Sequence, residues 1–260
     1  MSFMDTFKTG MVAQEINFRT IANNMANGLT VGYKAQRADF QDTMYQTITA
    51  AGASTTGSAV RPTPVQIGLG TQFASHTTDF SQGTPQATGN PTDMAIIGEG
   101  FFVVQKDGTN HYTRDGTFKI DANGVLVTSD GYSLVPNITI PAGSRGLSVS
   151  PNGSVSAIQP GQTNPQEIGK IQVAIFTNVG GLERKGKNLF AATDASGQPQ
   201  LVNPGENGGG TILGGHIESS NTNIVEEMVK MIFAQRYFEA NSKGIQVGDE
   251  VLGIVNNVKR

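Results

Sequence analysis

Apolar positions fall into three regimes along the chain. Near the N terminus Met4, Phe7, Met11, Gln14, Phe18, Ile21 and Met25 recur at steps of three and four without a proline, which predicts a helix over residues 4–27. Near the C terminus the same spacing returns in Ile224, Met228, Met231, Gln235, Phe238, Ser242 and Ile245. A further row, Val247, Val251, Ile254 and Val258, runs beside Ile245 and Leu252, so the apolar surface widens and asks for two neighbours there. From Thr222 to Val258 this helix would reach about 55 Å at 1.5 Å per residue, long for one compact domain. Gly244, Gly248 and Gly253 each weaken it by about 1 kcal/mol relative to Ala. Each seam carries one Gln, a polar position of the kind that fixes register, so the two helices are expected to pair as in a coiled coil.

Between the helices the period changes. Short apolar runs such as Ala95-Ile96-Ile97, Phe101-Phe102-Val103-Val104, Leu147-Ser148-Val149 and Ile171 to Phe176 are separated by turn signals. Asp107-Gly108, Asp115-Gly116, Asn123-Gly124, Asp130-Gly131, Asn152-Gly153 and Ser196-Gly197 mark tight turns, several of them candidate hairpins. A sandwich or small barrel is the expectation for residues 65–215. Residues 41–64 are small, polar and rich in Ala, Thr, Ser and Gly, and read as a flexible arm or long extended loop. Asn27-Gly28 ends the first helix, and Ser219, Ser220 or Asn221 can cap the second, with Glu226 and Glu227 complementing its dipole.

The fold class that follows is α+β: paired N- and C-terminal coiled-coil-like helices with a central all-β domain. Residues 1–30 with 221–260 would form a discontinuous helical domain and residues 71–204 the β domain. Residues 31–70 with 205–220 would connect them.

Composition narrows the chemistry. Charged residues are 15% of the chain and the net charge is −3 with basic residues scattered, which argues against nucleic acid as a partner. The absence of cysteine excludes disulfides, thiolate catalysis and Cys-based metal sites. The first residues lack the basic and apolar regions of a cleaved signal, and no run is long enough to span a membrane.

No motif asks for an enzyme. Gly181-Leu-Glu-Arg-Lys-Gly-Lys187-Asn188 approximates a phosphate-binding loop, but the Ser or Thr that would hold magnesium is replaced by Asn188, and a turn is the better reading. His76, His111 and His216 are far apart with no second His at metal-ligand spacing. Asp121-x-Asn123-Gly124 lacks the remaining ligands of a calcium loop. Glu226 and Glu227 point about 100° apart on a helix and do not share a site. Gly244-x-x-x-Gly248 has a membrane-dimer spacing, but Lys243, Asp249 and Glu250 point to close packing of soluble helices. No catalytic residue, cofactor or metal is expected.

Ile21 to Phe40, reading IANNMANGLTVGYKAQRADF, resembles the N-terminal signature of the bacterial flagellar rod and hook protein family, with Asn23, Asn24, Asn27, Gly32, Lys34, Arg37 and Phe40 at matching positions. GEGFFVV and the segment from Tyr112 to Val135 resemble the family's central domain. SNTNIVEEMVKMIFAQRYFEANSKG resembles its C-terminal signature, with Ser220, Asn221, Asn223 and Arg236 among the matches. The resemblance implies a structural subunit of the flagellar distal rod, a stiff helical homopolymer that transmits torque and encloses the export channel. The segment after Tyr45 is similar to one that stiffens rods by wedging between subunits. Assembly seams would be Phe7, Met11, Gln14, Phe18, Ile21 and Met25 on the first helix, and Met228, Met231, Gln235, Phe238, Ile245 and Leu252 on the second. Implied partners are proximal rod proteins, the hook protein, surrounding basal-body rings where an outer membrane is present, and the flagellar export apparatus, without membrane insertion. The implied location is the periplasmic rod, reached without a cleaved signal. Alternatives are a proximal rod subunit, a short hook protein or, outside the family, a cell-surface β-domain binding module.

Overall fold

The computed structural model describes residues 3–52, 54–56 and 59–258. The chain mixes helix and strand, strands predominating, with one long helix at each end. It separates into two compact units, Met1–Met25 with Gln36–Thr77 and Asn223–Arg260, and Ala26–Ala35 with Thr78–Thr222. The stretch expected to connect the domains is thus divided between the units.

The first unit contains α1 (Phe3–Ala26), β1 (Gln36–Asp42), β2 (Tyr45–Thr49), β3 (Ser54–Thr56), β4 (Ala59–Val60), β5 (Val65–Gly68), β6 (Thr71–Thr78) and α2 (Ile224–Val258). On α1 an exposed Glu15–Arg19 pair at i,i+4 adds a small local stabilisation. The helix stops where Thr30 N–H turns back to the Asn27 carbonyl at 3.1 Å.

Residues 41–64 are not the patternless loop expected from their composition. β2 pairs antiparallel with β5, and β3 with β4. The Tyr45 side chain lies over Gly68, filling the space left by a residue with no side chain. Met44, Tyr45, Ile48 and Ile67 are all exposed, so neither face is buried and no alternation of apolar and polar residues marks the strands. Residues 53, 57 and 58 of this stretch, like 1, 2, 259 and 260 of the terminal domain, lie outside the described residues.

The second unit is built from β7 (Pro85–Ala87), β8 (Met94–Ile97), β9 (Phe101–Lys106), β10 (Thr109–Thr113), β11 (Lys119–Ile120), β12 (Leu126–Val127), β13 (Ser133–Val135), β14 (Arg145–Val149), β15 (Ser154–Ile158) and β16 (Gln166–Lys170). It continues with β17 (Val173–Ile175), β18 (Glu183–Gly186), β19 (Leu189–Ala191), β20 (Gln200–Val202), β21 (Thr211–Gly214) and β22 (His216–Glu218). A nine-stranded sheet runs β11-β12-β13-β9-β10-β19-β18, with β17 joining β9 and β20; β14, β15 and β16 form a smaller sheet, and β8 pairs with β21 and β7 with β22.

β9 explains why its sequence is apolar without alternation. Phe102 and Val104 belong to one apolar cluster while Phe101 and Val103 belong to another, as opposite faces of one strand require. Asp107 and Gly108, both at positive φ, close the β9–β10 turn.

Candidate functional site

In the second unit the signature segments converge on a buried charge. Lys34 and Glu218 have fully buried side chains, and the Lys34 ammonium donates to Glu218 Oε1 at 2.6 Å and to the Ser81 carbonyl at 2.7 Å. The same carboxylate oxygen accepts the Gly83 N–H at 2.8 Å, and the Glu218 carbonyl accepts the Gly32 N–H at 2.8 Å. Arg114 approaches Glu218 Oε2 at 3.5 Å, an ion-pair rather than a hydrogen-bond distance, and donates to the Gly98 carbonyl at 2.9 Å. Burial pushes the Lys34 ammonium below its ordinary range, and the hydrogen bond and charge of Glu218 pull it back.

Asn221 finishes the junction. Its Oδ1 accepts the Ala35 N–H at 2.7 Å, and its Nδ2 donates to the Asp79 carbonyl at 2.9 Å and to Ser81. Arg184 donates to the Lys34 carbonyl and lies 5.2 Å from the Tyr33 ring centroid. Asn188 donates to the Val31 carbonyl at 3.2 Å and to Asp115 at 3.3 Å. Gly32 has φ +67, and a Cβ there would sit 2.6 Å from the Asp115 backbone nitrogen; one on Gly83 would stand closer still to the Ser219 carbonyl. Three chain segments, 31–35, 79–83 and 218–221, are thus bound to one another by buried polar groups.

A second junction lies in the first unit. Asn24 Oδ1 accepts the Gln36 N–H at 2.9 Å while Nδ2 donates to the Gln36 carbonyl at 2.7 Å and to Glu227 at 3.2 Å. Glu227 is buried and also accepts from Lys230 at 2.6 Å. Both members of the acidic pair expected to complement the helix dipole lie in the first turn of α2, Glu227 buried and Glu226 exposed and accepting from Asn223 at 3.1 Å. Asn223 is the actual helix cap, its Oδ1 accepting the Val225 N–H at 3.1 Å, so α2 begins two residues later than the spacing predicts. Asn221 is unavailable as a cap because its amide is used at the other junction. Ser220 instead accepts the Thr222 N–H at 3.1 Å.

The other signature residues have local roles. Asn27 accepts from Thr30, Arg37 binds Asp39 at 2.8 Å, Phe40 packs edge-on against Phe73, and exposed Arg236 binds Glu239 at 3.1 Å. Asn23 is exposed.

The helices touch at matched positions. A Cβ on Gly244 would stand 2.6 Å from the Phe7 ring, one on Gly10 would stand 2.9 Å from Asn241, Phe18 meets Phe238 edge-on at 6.5 Å, and Asn24 meets Glu227. Along α1 the numbers rise while along α2 they fall, so the helices run antiparallel. On α1 the seam residues Phe7, Met11, Gln14, Phe18 and Met25 are half-buried and Ile21 is buried. On α2 the buried row is Glu227, Ala234 and Gly248 with half-buried Met231, Asn241 and Ile245; Met228, Gln235, Phe238 and Leu252 are exposed. The inward row is offset by one residue from the predicted seam at the 228 and 235 positions, where Glu227, held by Asn24, and the small Ala234 face inward in place of Met228 and Gln235. The side chain of Val258 is outside the described residues.

The remaining motifs are structural. Lys187 and Asn188, both at positive φ, turn β18 into β19, and Lys187 pairs with Asp130 at 3.1 Å. Asp121 Oδ1 accepts the N–H groups of Asn123 and Val125, each at 2.8 Å, closing a hairpin. His76 contacts Thr20 at 3.0 Å, and His216 contacts the Gly214 carbonyl at 2.9 Å. Among the described residues no group of three or more His, Asp or Glu is placed to hold a metal, and no helix is long and apolar enough to cross a membrane.

Lys34, Asn24 and Asn221 stand at the signature positions named from the sequence; Glu218, Arg114 and Arg184 were not singled out there, and Asn188 was named only as a turn residue. Glu218 had a faint signal, an acidic residue closing the strand His216–Glu218 inside a Gly-rich stretch; Arg114 sits within a hairpin signal that gave no sign of burial.

Buried charge holds backbone segments together in this chain of mostly strands with a helix at each end. Residues 95–157 match the flagellar hook protein FlgE/F/G D1 domain, and residues 213–258 match the flagellar basal body rod FlgEFG protein C-terminal family. The chain is 46% identical over 258 residues to flagellar basal-body rod protein FlgG of Borreliella burgdorferi, covering 98% of this chain and 97% of that one. It is 43% identical over 261 residues to FlgG of Caulobacter vibrioides, the whole of both chains, and 37% identical over 258 residues to FlgG of Bacillus subtilis, 97% of each. The chain belongs to the flagellar basal-body rod protein family. It is a structural subunit of the rod and not an enzyme.

Proposed function

We propose that the chain polymerises with itself into a stiff helical tube, the distal part of the rod, which carries torque toward the hook and encloses the export channel. In this reading α1 and α2 pair as a coiled coil, and their seam residues order fully on assembly. The observation that best supports it is the apolar stripe on α2, where Val225, Met228, Val229, Ile232 and Phe233 are 69%, 51%, 48%, 57% and 59% exposed. A contiguous patch of this kind on a structural protein is a contact surface. If the patch meets a different surface on the next copy, the contact does not close and a helical filament results.

The ribbon of β2 and β5 supports the distal assignment. Its exposed Met44, Tyr45, Ile48 and Ile67 offer apolar surface to a neighbouring subunit, in keeping with a stiffening wedge. Proximal rod proteins and the hook protein would bind the two ends of the polymer, basal-body rings would surround it where there is an outer membrane, and the flagellar export apparatus would deliver it. The reading includes a periplasmic location without a cleaved signal, and neither nucleic acid nor membrane insertion.

Electron microscopy of the purified full chain, crowded or seeded with rod fragments, tests the proposal. Straight tubular filaments are the expected outcome. A chain that stays monomeric when seeded, or closes into a small oligomer, overturns it.

A further inference from the structure

The antiparallel step between the helices sets where each runs out of partner. Phe7 meets Gly244 and Asn24 meets Glu227, so at the same step Phe3 falls opposite Gly248. From Asp249 to Val258, α2 runs on past the described end of α1. This overhang is apolar on one face: Val251, Ile254 and Val255 are 48%, 62% and 55% exposed. Glu250 flanks that face, four residues before Ile254, and has no ion pair among the described residues.

The same unit carries an open groove. Between α1 and β6, Lys8, Val12, Ile16 and Phe73 are among the residues lining an open apolar space of about 300 Å³. At a water's share of about 30 Å³ this is room for roughly ten waters, the bulk of several aliphatic side chains. Val12 is 50% exposed and Phe73 36%. Lys8 is the one charged residue lining it and has no ion pair among the described residues.

Groove and overhang match in character and complement in charge, yet they cannot meet within one chain. The groove lies along the Lys8–Ile16 stretch of α1, and the overhang continues α2 in the opposite direction, beyond Phe3. We infer that the overhang of α2 docks in the α1–β6 groove of a second copy, with Val251, Ile254 and Val255 in the apolar floor and Glu250 on Lys8. The inference rests on the self-polymerising reading and specifies its contact. Because groove and overhang are different surfaces, each copy offers one of each and the contact propagates head to tail.

The chain has no cysteine, so a disulfide reports this contact cleanly. Full-length V12C and I254C chains, mixed and assembled under oxidising conditions, should give one intermolecular disulfide species, absent when either is mixed with wild type. In parallel, K8E or E250K alone should raise the critical concentration for assembly roughly tenfold by placing like charges together. The double variant K8E/E250K should return toward wild type. Mixing the two single variants should restore assembly as an alternating copolymer, since each contact between unlike variants again places opposite charges together, whereas either variant alone meets like charge at every contact. Wild-type filaments combined with no V12C–I254C disulfide and no effect of either charge reversal would overturn the docking while leaving self-assembly intact. A wild-type chain that never assembles would remove both.

Discussion

Lys34 is a surface residue type with none of its side chain at the surface. Taking an ammonium and a carboxylate out of water costs several kcal/mol each, and their attraction repays that only where further donors and acceptors complete the geometry. Here the Ser81 carbonyl, the Gly83 N–H and Arg114 supply them. The pair therefore selects one arrangement of three chain segments more than it adds net stability. Lys34→Met leaves Glu218 buried beside a distant Arg114 and should destabilise the second unit by about 3 to 5 kcal/mol in denaturant titration. Lys34→Met combined with Glu218→Gln should cost clearly less than the sum of the two single changes, a coupling that a double-mutant cycle measures. A cost below about 1 kcal/mol for Lys34→Met would show that the pair does not organise the junction. Lys34 was legible in the sequence only through family resemblance. Its partner is 184 residues away, and no local period encodes a pairing of that range.

At the scale of elements, the two helices were legible because each repeats one spacing for many turns. The inward row on α2 was not, since periodicity ranks Met and Gln positions by size and polarity, while in the fold Glu227 is held inward by Asn24 and small Ala234 faces inward beside it. The glycines of α2 separate on this basis. Gly244 stands against Phe7, so Gly244→Ala should loosen the α1–α2 contact despite the helix propensity it gains, and Phe7→Leu in the same chain should restore it. A β-carbon placed on Gly253 would meet nothing within 4 Å, and Gly253→Ala should simply stabilise α2 by about 1 kcal/mol. Amide hydrogen exchange of α1 and α2 reads both effects, and equal protection changes from the two alanines would contradict the assignment. Phe18 and Phe238 meet edge-on, and truncating either removes roughly 2 to 5 kcal/mol from the helical unit where the ring is buried, less where it is half-exposed as here. Phe18→Ala or Phe238→Ala should block assembly while circular dichroism shows the β unit still folded; normal motility with both variants would dismiss the helix pair as the assembly element.

For the whole molecule, the α and β mix and the helix at each end were legible, and so was the turn-rich character of the middle. The sequence did not reveal that residues 36–77 group with the terminal helices, because that grouping depends on contacts of β1 and β6 that carry no signal of their own. The ribbon was hidden for a related reason: its backbone ladder forms without an apolar face, so composition suggested a loop. This bears on the test of the rod-type segment. Deleting Ala50–Arg61 removes β3 and β4 but leaves Tyr45–Thr49 and Val65–Gly68, whose outermost pair joins Thr49 to Val65. The remaining Pro62-Thr63-Pro64 is a length that closes ordinary hairpins, so the shortened ribbon should keep its register and the subunit its fold. On the proposed stiffening role, what the deletion takes away is reach toward a neighbouring copy. Filaments of the deleted chain should therefore form but bend, with a persistence length in electron micrographs well below that of wild type, while thermal unfolding of the monomer shifts little. Unchanged straightness would remove the stiffening role from this segment, and failure to fold would show that the tip of the ribbon supports its own unit.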